Sequence, residues 1–484
     1  MFCHSRTESE FSINSGGNDT GEKMSKTVTI NEEIFKAYDI RGVYPEEINE
    51  EVVDRVAKAF ATLLMQENTD KKSLEVVVGQ DMRISSPQLA EKAIEGLLSL
   101  GVNVVDIGLA STPTFYFAVG EGGYDGGLQI SASHNPKEYN GIKIVRKKVY
   151  PVSLDDGIDK IRDIAVSGKF QILNSEGSVR QDNEILKKLV DYSLSFDGFS
   201  RIKPFKIVAD VANAMGSLDL SALFEKLPCE LIKMNFELDG TFPVHQADPF
   251  QEKNVVDLKK RVVETGADIG IATDGDGDRI FFIDDKGELI DPAILRGLFA
   301  EIVLRKNKGA AIGYDIRPGR ITRDMIEQNG GVPFVTKVGH SFIKRIAIEK
   351  NSEFSGESSG HFFFKTDYGF FETPLIVTLY LLKEMSDRGV PISEIIAPLK
   401  KYFHSGEINF TVTDKEKVIE AIIEKYADGA EKVDKLDGLT IEHQDYWFNV
   451  RASNTEPLLR LNLEAKTSEL VNEKVKEISA IIQS

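Results

Sequence analysis

The stretch LEVVVGQDMRISSPQLAEKAIEGLLSLGVNVVDI, residues 74–107, sets the architecture of this chain. Leu74–Asp81 is an apolar, valine-rich run that reads as a buried strand. Arg83-Ile84-Ser85 turns the chain, and Ser86-Pro87 supplies an N-cap and a first-turn proline. Leu89, Ala93 and Leu97 then recur on one helical face, Gly101 ends the helix, and Val102–Ile107 is the next strand. The same grammar returns at Phe205–Val211, a helix near Leu218–Leu227, and Glu230–Met234. It returns again at Ala310–Asp315, a helix near Ile321–Gln328, and Val332–Val338. Three strand–helix–strand units predict three similar α/β domains with mixed, largely parallel sheets. In such sheets ligands bind where strands run out into loops, and the distinctive residues of this sequence cluster there.

The last part of the chain has a different pattern. Glu407–Val412 reads as a strand, and Thr413-x-x-Glu416 as a capping box for a helix running to about Ala427. Trp447–Val450 and Leu458–Ala465 are further strands, and Ser468–Ile482 is an amphipathic helix, so a smaller C-terminal α+β domain is expected. The polar, Ser/Gly/Asn-rich start lacks the apolar segment of a signal peptide and reads as a disordered tail over residues 1–27. The expected domains are then 28–179, 180–288, 289–400 and 401–484.

Composition narrows the functional classes. The chain has 484 residues, 41% apolar and 28% charged, as in ordinary globular proteins. Its formal charge of −18 argues against general nucleic-acid binding and against docking on anionic membranes. An anionic small molecule would need a local basic pocket. Two cysteines, Cys3 and Cys229, make no disulfide framework and suit a reducing cytoplasm.

Thr273-Asp274-Gly275-Asp276-Gly277-Asp278-Arg279 lies between the apolar runs Ile269–Ala272 and Ile280–Ile283. Carboxylates at alternate positions repel one another, and a hard cation such as Mg²⁺ resolves the conflict. The glycine spacers let the backbone bend so that the side chains converge. An EF-hand calcium loop would need glycine where Arg279 stands and glutamate where Asp285 stands. A solvated acidic turn would not sit between two buried strands.

Three other segments carry polar groups at strand ends. Ser131-Ala132-Ser133-His134-Asn135-Pro136 sets a serine on a small-residue turn beside a histidine, a pattern for a nucleophile or phosphoryl carrier; a capped Asn-Pro turn explains the same residues. Glu357-Ser358-Ser359-Gly360-His361, with Val338-Gly339-His340 near it in sequence, is either a hydroxyl-reading loop or a capped turn. Arg451-Ala452-Ser453-Asn454-Thr455 joins two strands and combines a guanidinium, hydroxyls and turn amides, as phosphate binding requires; a hairpin turn is the structural alternative.

Together FKAYDIRG (35–42), SASHNPKEYNGIKI (131–144), TDGDGDR (273–279), TKVGHSFIK (336–344), GESSGH (356–361) and RASNTEPLLRL (451–461) closely resemble the α-D-phosphohexomutase superfamily, in its bacterial phosphomannomutase/phosphoglucomutase branch. The resemblance runs from about Ile30 to the C-terminus. It implies four domains around a central cleft and reversible interconversion of hexose 1-phosphate and hexose 6-phosphate, of mannose, glucose or both, through a hexose 1,6-bisphosphate. It implies a phosphoserine at Ser133 and Mg²⁺ held by Asp274, Asp276 and Asp278 with the group on Ser133. Tyr38, Arg41, His134, Lys143 and Arg279 would surround the transferring group, with Lys143 or a histidine such as His134 or His340 moving the proton. Gly339 and His340 match the loop that reads sugar orientation, and Glu357 and Ser359, beside His361, the loop that grips hydroxyls. Arg317 stands where the family often has lysine. Arg451, Ser453, Asn454 and Thr455 match the loop for the non-reacting phosphate. Ser131 replaces the usual threonine. The expected partners are sugar phosphates, with no nucleic acid or membrane, for a monomer or small homo-oligomer. Alternatives are phosphoglucosamine mutase, a Mg²⁺-dependent sugar phosphatase and a non-catalytic sugar-phosphate binder.

Overall fold

The computed structural model describes residues 30–199, 201–317, 319–412, 414–452 and 458–483. The expected N-terminal tail and the loop residues Ser453, Asn454 and Thr455 lie outside them. The first sheet has seven strands, in the order Ile40–Val43, Tyr139–Arg146, Gly126–Ile130, Glu75–Gln80, Asn103–Leu109, Val179–Gln181, with Tyr150–Pro151 paired to the second of these. Glu75–Gln80 runs parallel to both neighbours, while Tyr139–Arg146 is antiparallel to both of its own. The strand Val179–Gln181 straddles the expected boundary between residues 179 and 180.

The second sheet places Ile269–Thr273 between Lys206–Asp210, parallel, and Ile280–Ile283, antiparallel, with Glu230–Met234 at the far edge. The third sheet pairs Ala311–Asp315 in parallel with Val332–Thr336 and Phe354–Gly356 and then continues through two antiparallel strands, Phe362–Lys365 and Phe370–Glu372. The fourth sheet is antiparallel throughout, from Phe403–Thr411 to Lys432–Asp434, and is covered by the helices Lys415–Tyr426 and Ser468–Ile482. Each α/β unit is therefore mixed, with a parallel centre and an antiparallel edge, and the last domain is the smaller α+β unit expected.

The helix Thr112–Glu121 decides how the domains meet. Residues Thr112 to Val119 are all buried, and a helix without a polar face belongs inside a core. Phe115, Phe117 and Val119 share one apolar cluster with Leu220 and Ile271 of the second domain and Phe354 and Leu379 of the third. Burying each such side chain is worth about 1.5–3 kcal/mol relative to exposure. The first three domains are thus bound through a common interior, whereas the fourth keeps its own core around Ile441, Phe448 and Leu463.

Two capping assignments need correction. The helix Ser86–Ser99 is preceded by Ser85, which makes no side-chain cap. Ser86 does not cap it because its hydroxyl donates to Asp81 Oδ1 at 2.6 Å instead. The helix Lys415–Tyr426 is capped by Asp414, which accepts from the Lys417 amide at 3.0 Å, while Thr413 lies outside the described residues. The strands Lys432–Asp434 and Leu439–Glu442 were not expected from the sequence; the second does alternate buried and half-buried residues but is only four residues long. Among the described residues no helix is long and apolar enough to cross a membrane.

Candidate active site

The Asp loop joins two antiparallel neighbours, Ile269–Thr273 and Ile280–Ile283, whose apolar residues are buried. That framing takes Asp274, Asp276 and Asp278 out of solvent completely. Gly277 turns the loop at a φ of +76°, a left-handed conformation in which a side chain is strained. Gly275 serves a different purpose: a Cβ there would stand 2.2 Å from the carbonyl oxygen of Ser133. Only glycine lets the serine loop of the first domain close onto the aspartates of the second.

Ser133 follows the strand Gly126–Ile130 and is itself left-handed, with a φ of 50°. Non-glycine residues persist in that region only where the surroundings enforce it. The enforcing group is Arg83, buried and paired with Asp81. Its guanidinium donates to the carbonyls of Ser133 at 2.8 Å, Asn135 at 2.6 Å, Pro136 at 2.7 Å and Tyr139 at 2.9 Å. Thus held, Ser133 Oγ donates to Asp274 Oδ2 at 2.7 Å and lies 3.2 Å from His134 Nδ1. Gln246 Nε2 donates to the His134 carbonyl at 2.8 Å, adding a tie to the second domain.

The carboxylates of Asp274, Asp276 and Asp278 offer oxygens within 4.8 Å of one another. Lys143, on the strand Tyr139–Arg146, bridges Asp276 and Asp278 with its ammonium. Burial alone would push this ammonium down, but the two aspartates outweigh it and hold its pKa well above the ordinary value. Asp274 shows the opposite balance: burial, then Asp278 and Asp276, raise its carboxyl well above the usual range. Asp276 Oδ1 and Asp278 Oδ1 are buried and accept no hydrogen bond. Hard oxygen donors with unused lone pairs around one point fit a metal ion. Thr112, at the start of the buried core helix, donates to Asp276 Oδ2 at 2.6 Å and orients this donor.

Around this centre stand the other expected residues. Arg41 donates to Asp39 at 2.8 Å and to Asn135 Oδ1 at 2.5 Å. The Arg279 amide donates to Asp274 Oδ1 at 3.1 Å, and its Nε donates to His361 Nε2 at 3.1 Å. That bond makes Nε2 the acceptor of His361 and puts its proton on Nδ1, 3.6 Å from both Asp278 and Glu372. Burial first, and then nearby cations, hold His134, His340 and His361 well below the ordinary histidine pKa. All three are neutral imidazoles at pH 7.

The loop 357–361 is assembled by Glu357, which accepts from the Gly339 amide at 2.8 Å and from Ser359 Oγ at 2.7 Å. His340 stacks on His361 with centroids 5.6 Å apart, and Tyr38 lies edge-on to His340 at 5.6 Å. Burial, followed by the charges of Glu357 and Asp437, pushes the Tyr38 phenol up to about 12. Arg317 is paired with Asp315 and lies 3.2 Å from Glu357. Arg451 is the one described residue among Arg451, Ser453, Asn454 and Thr455; it pairs with Glu407 at 2.6 Å, and Glu407 also acts on Arg317. The last domain thus faces Arg317 of the third domain rather than the aspartates.

Several contributors were not singled out in the sequence. Arg83 lies in a segment read only as a turn. Thr112 opens a helix that carries no motif. Lys344 and Glu372 form a buried pair at 3.0 Å beside His340 and His361. A charged residue inside an apolar run, such as Glu372 after Phe370-Phe371, is the signal that could have revealed the last.

A buried serine aimed at a carboxylate cluster, in a cleft walled by α/β domains, is the geometry of a phosphoryl-transfer enzyme. Family models described as phosphoglucomutase/phosphomannomutase alpha/beta/alpha domains I, II and III match residues 32–171, 186–287 and 291–402, and the C-terminal domain model matches 407–481. The chain belongs to the phosphoglucomutase/phosphomannomutase family. It is 36% identical to a phosphomannomutase of Vibrio cholerae over 457 residues, covering 93% of this chain and 98% of the relative. A phosphomannomutase of Methanocaldococcus jannaschii is 36% identical over 453 residues, covering 93% and 97%. A Burkholderia thailandensis crystal structure of a phosphoglucomutase/phosphomannomutase family protein superposes with a TM-score of 0.85 at 32% identity, covering 94% of this chain and 98% of that one.

Proposed function

We propose that this protein interconverts hexose 1-phosphate and hexose 6-phosphate, with mannose, glucose or both as the sugar, through a phosphoserine at Ser133. In the forward direction the P–O bond to Ser133 Oγ breaks as a new P–O bond forms to O6 of the bound hexose 1-phosphate. The O6 proton leaves to a nearby base, giving hexose 1,6-bisphosphate. The bisphosphate turns within the cleft. Its O1–P bond then breaks, the phosphoryl group returns to Ser133, and a proton is restored to O1. A hexose 1,6-bisphosphate from solution primes an unphosphorylated chain by the same second step.

The chain's own groups suit these tasks. Lys143 is held charged and serves as acid or charge stabiliser, while neutral His134, beside Ser133 Oγ, is available as proton acceptor. Arg279 offers its guanidinium to charge on the transferring group. When bound, Mg²⁺ supplies Lewis-acid neutralisation of the phosphoryl oxygens; Asp274, Asp276 and Asp278, with the group on Ser133, would hold it. Glu357, Ser359, Gly339 and His340 read the sugar hydroxyls, and Arg451 with Ser453, Asn454 and Thr455 binds the phosphate that is not reacting. With few cysteines and an acidic surface, we place the protein in the cytoplasm as a monomer or small homo-oligomer.

The observation that carries this reading is the 2.7 Å bond from Ser133 Oγ to Asp274 between two domains. Its test is a coupled assay with mannose 1-phosphate and glucose 1-phosphate, primed by a hexose bisphosphate. Isomer should form without stoichiometric release of inorganic phosphate, and intact-mass analysis should find one phosphate on Ser133. Ser133→Ala should lower turnover by at least about a thousandfold. Phosphate release without isomer would convert the assignment to a phosphatase.

A further inference from the structure

A cavity of about 620 Å³ opens between the first and third domains, away from the aspartate cluster. Its floor is apolar, with Leu64, Tyr150, Ile348 and Phe370, and its rim carries Lys147 and Lys148. The volume falls within the roughly 300–1,000 Å³ typical of small-molecule sites. The carboxylates that also line it are already engaged. Both oxygens of Glu67 accept from Arg146 at 2.8 Å, Asp125 is bound by Lys71 and by the Glu75 amide, and Asp367 accepts from Tyr192 Oη at 3.4 Å. The ammonium groups of Lys147 and Lys148 are exposed and have no side-chain hydrogen-bond or ion-pair partner among the described residues. They stand at consecutive positions on the edge of the pocket, so their charges act together there. Lys148 is moreover held left-handed, at a φ of 58°.

We propose that this cavity is an effector site for an aromatic anion of nucleotide size, its ring on the apolar floor and its phosphates on Lys147 and Lys148. Four elements connect the cavity to the reacting groups. The strand Tyr139–Arg146 carries Lys143 into the catalytic cluster and Arg146 into the cavity wall. The helix His340–Glu349 starts at His340 and sets Ile348 at the cavity. The strand Phe362–Lys365 follows His361 and ends at the cavity with Lys365, while Phe370–Glu372 begins there and ends at Glu372. Each path is short: two to four strand residues or eight helical residues span roughly 7–13 Å. A ligand touching both walls therefore bears at once on the strand that carries Lys143 and on the helix that starts at His340, and favours one placement of these two elements within the shared interior.

The test measures ADP binding to the full chain by calorimetry, with saturating glucose 1-phosphate present to fill the catalytic cleft, alongside mutase initial rates. One saturable ADP site is expected. Lys147→Glu/Lys148→Glu should weaken it by about tenfold or more, the loss of a charge-assisted contact, and Ile348→Trp, which fills the floor, should abolish it. Both variants alter exposed positions outside the catalytic machinery and should keep basal turnover. ADP should change kcat or KM by about twofold or more in the parent chain and leave both variants unmoved. No binding, binding lost whenever glucose 1-phosphate is present, or binding that both variants retain would overturn the site. Binding sensitive to the variants but without effect on initial rates would overturn the coupling. The binding readout does not depend on the chemistry assigned to Ser133, so the two proposals fail separately.

Discussion

Asp276 shows how a single residue is set for its task. One of its oxygens accepts from Thr112 and faces the Lys143 ammonium, and the other is buried without a partner. Thr112→Val keeps the shape and removes the donor. It should weaken Mg²⁺ affinity about 10–100-fold, the usual cost of deleting a group that orients a metal ligand, measured as the Mg²⁺ dependence of turnover with an unchanged melting temperature. A second residue links the site to pH. His245 Nε2 lies 3.1 Å from Asp210, which raises the imidazole pKa over the opposing effect of burial. A raised folded pKa contributes stability that is fully present below about 6.5, the unfolded value, and is lost as pH rises through the folded value. Thermal melts should therefore show His245→Gln most destabilised relative to the parent near pH 6, with the gap narrowing towards pH 8.5.

At the scale of elements, the serine loop is held by the turn that follows the strand Glu75–Gln80. Arg83 gathers four carbonyls from residues 133–139 while its charge is balanced by Asp81. Lysine cannot replace a planar fork that donates in several directions at once. Arg83→Met leaves Asp81 as an uncompensated buried charge, at a cost of about 3–5 kcal/mol, read by urea unfolding. Arg83→Lys should keep more of the stability and still lose activity, because the loop is no longer fixed. The strand–helix–strand units that frame these loops were legible within about three residues, since valine-rich runs and a helical apolar face are local signals. Which carbonyls Arg83 would find was not legible, because they lie about 50 residues further along the chain.

For the whole molecule, the last domain stands apart from the other three. Its own core is separate, and it meets the third domain largely through polar contacts. Glu464 accepts from the Gly319 amide at 3.1 Å and from Trp447 Nε1 at 2.8 Å, and Asp437 accepts from the Val338 amide at 3.2 Å. The Val338 carbonyl in turn accepts from Tyr38 Oη at 3.3 Å, so the backbone of one residue links the first, third and fourth domains. Polar contacts exchange with water at little cost, so such an interface suits a domain able to move against its neighbours. Arg451→Ala should raise KM about tenfold or more, the loss of a charge-assisted bond, in initial-rate measurements. Phosphorylation of Ser133 by bisphosphate should still be detected by mass.

Residue types and their local order were enough to read three α/β units and a smaller α+β domain, an aspartate cluster suited to a cation and the nucleophilic candidate Ser133. Those features rest on short-range rules: periodicity, glycine geometry and like-charge repulsion along one loop. The tertiary structure alone decided that Ser133 donates directly to Asp274, that Lys143 compensates Asp276 and Asp278, and that Arg83, Thr112, Lys344 and Glu372 support the site. Each of those contacts joins residues far apart in the chain, and such packing leaves no periodic trace in the order of residues.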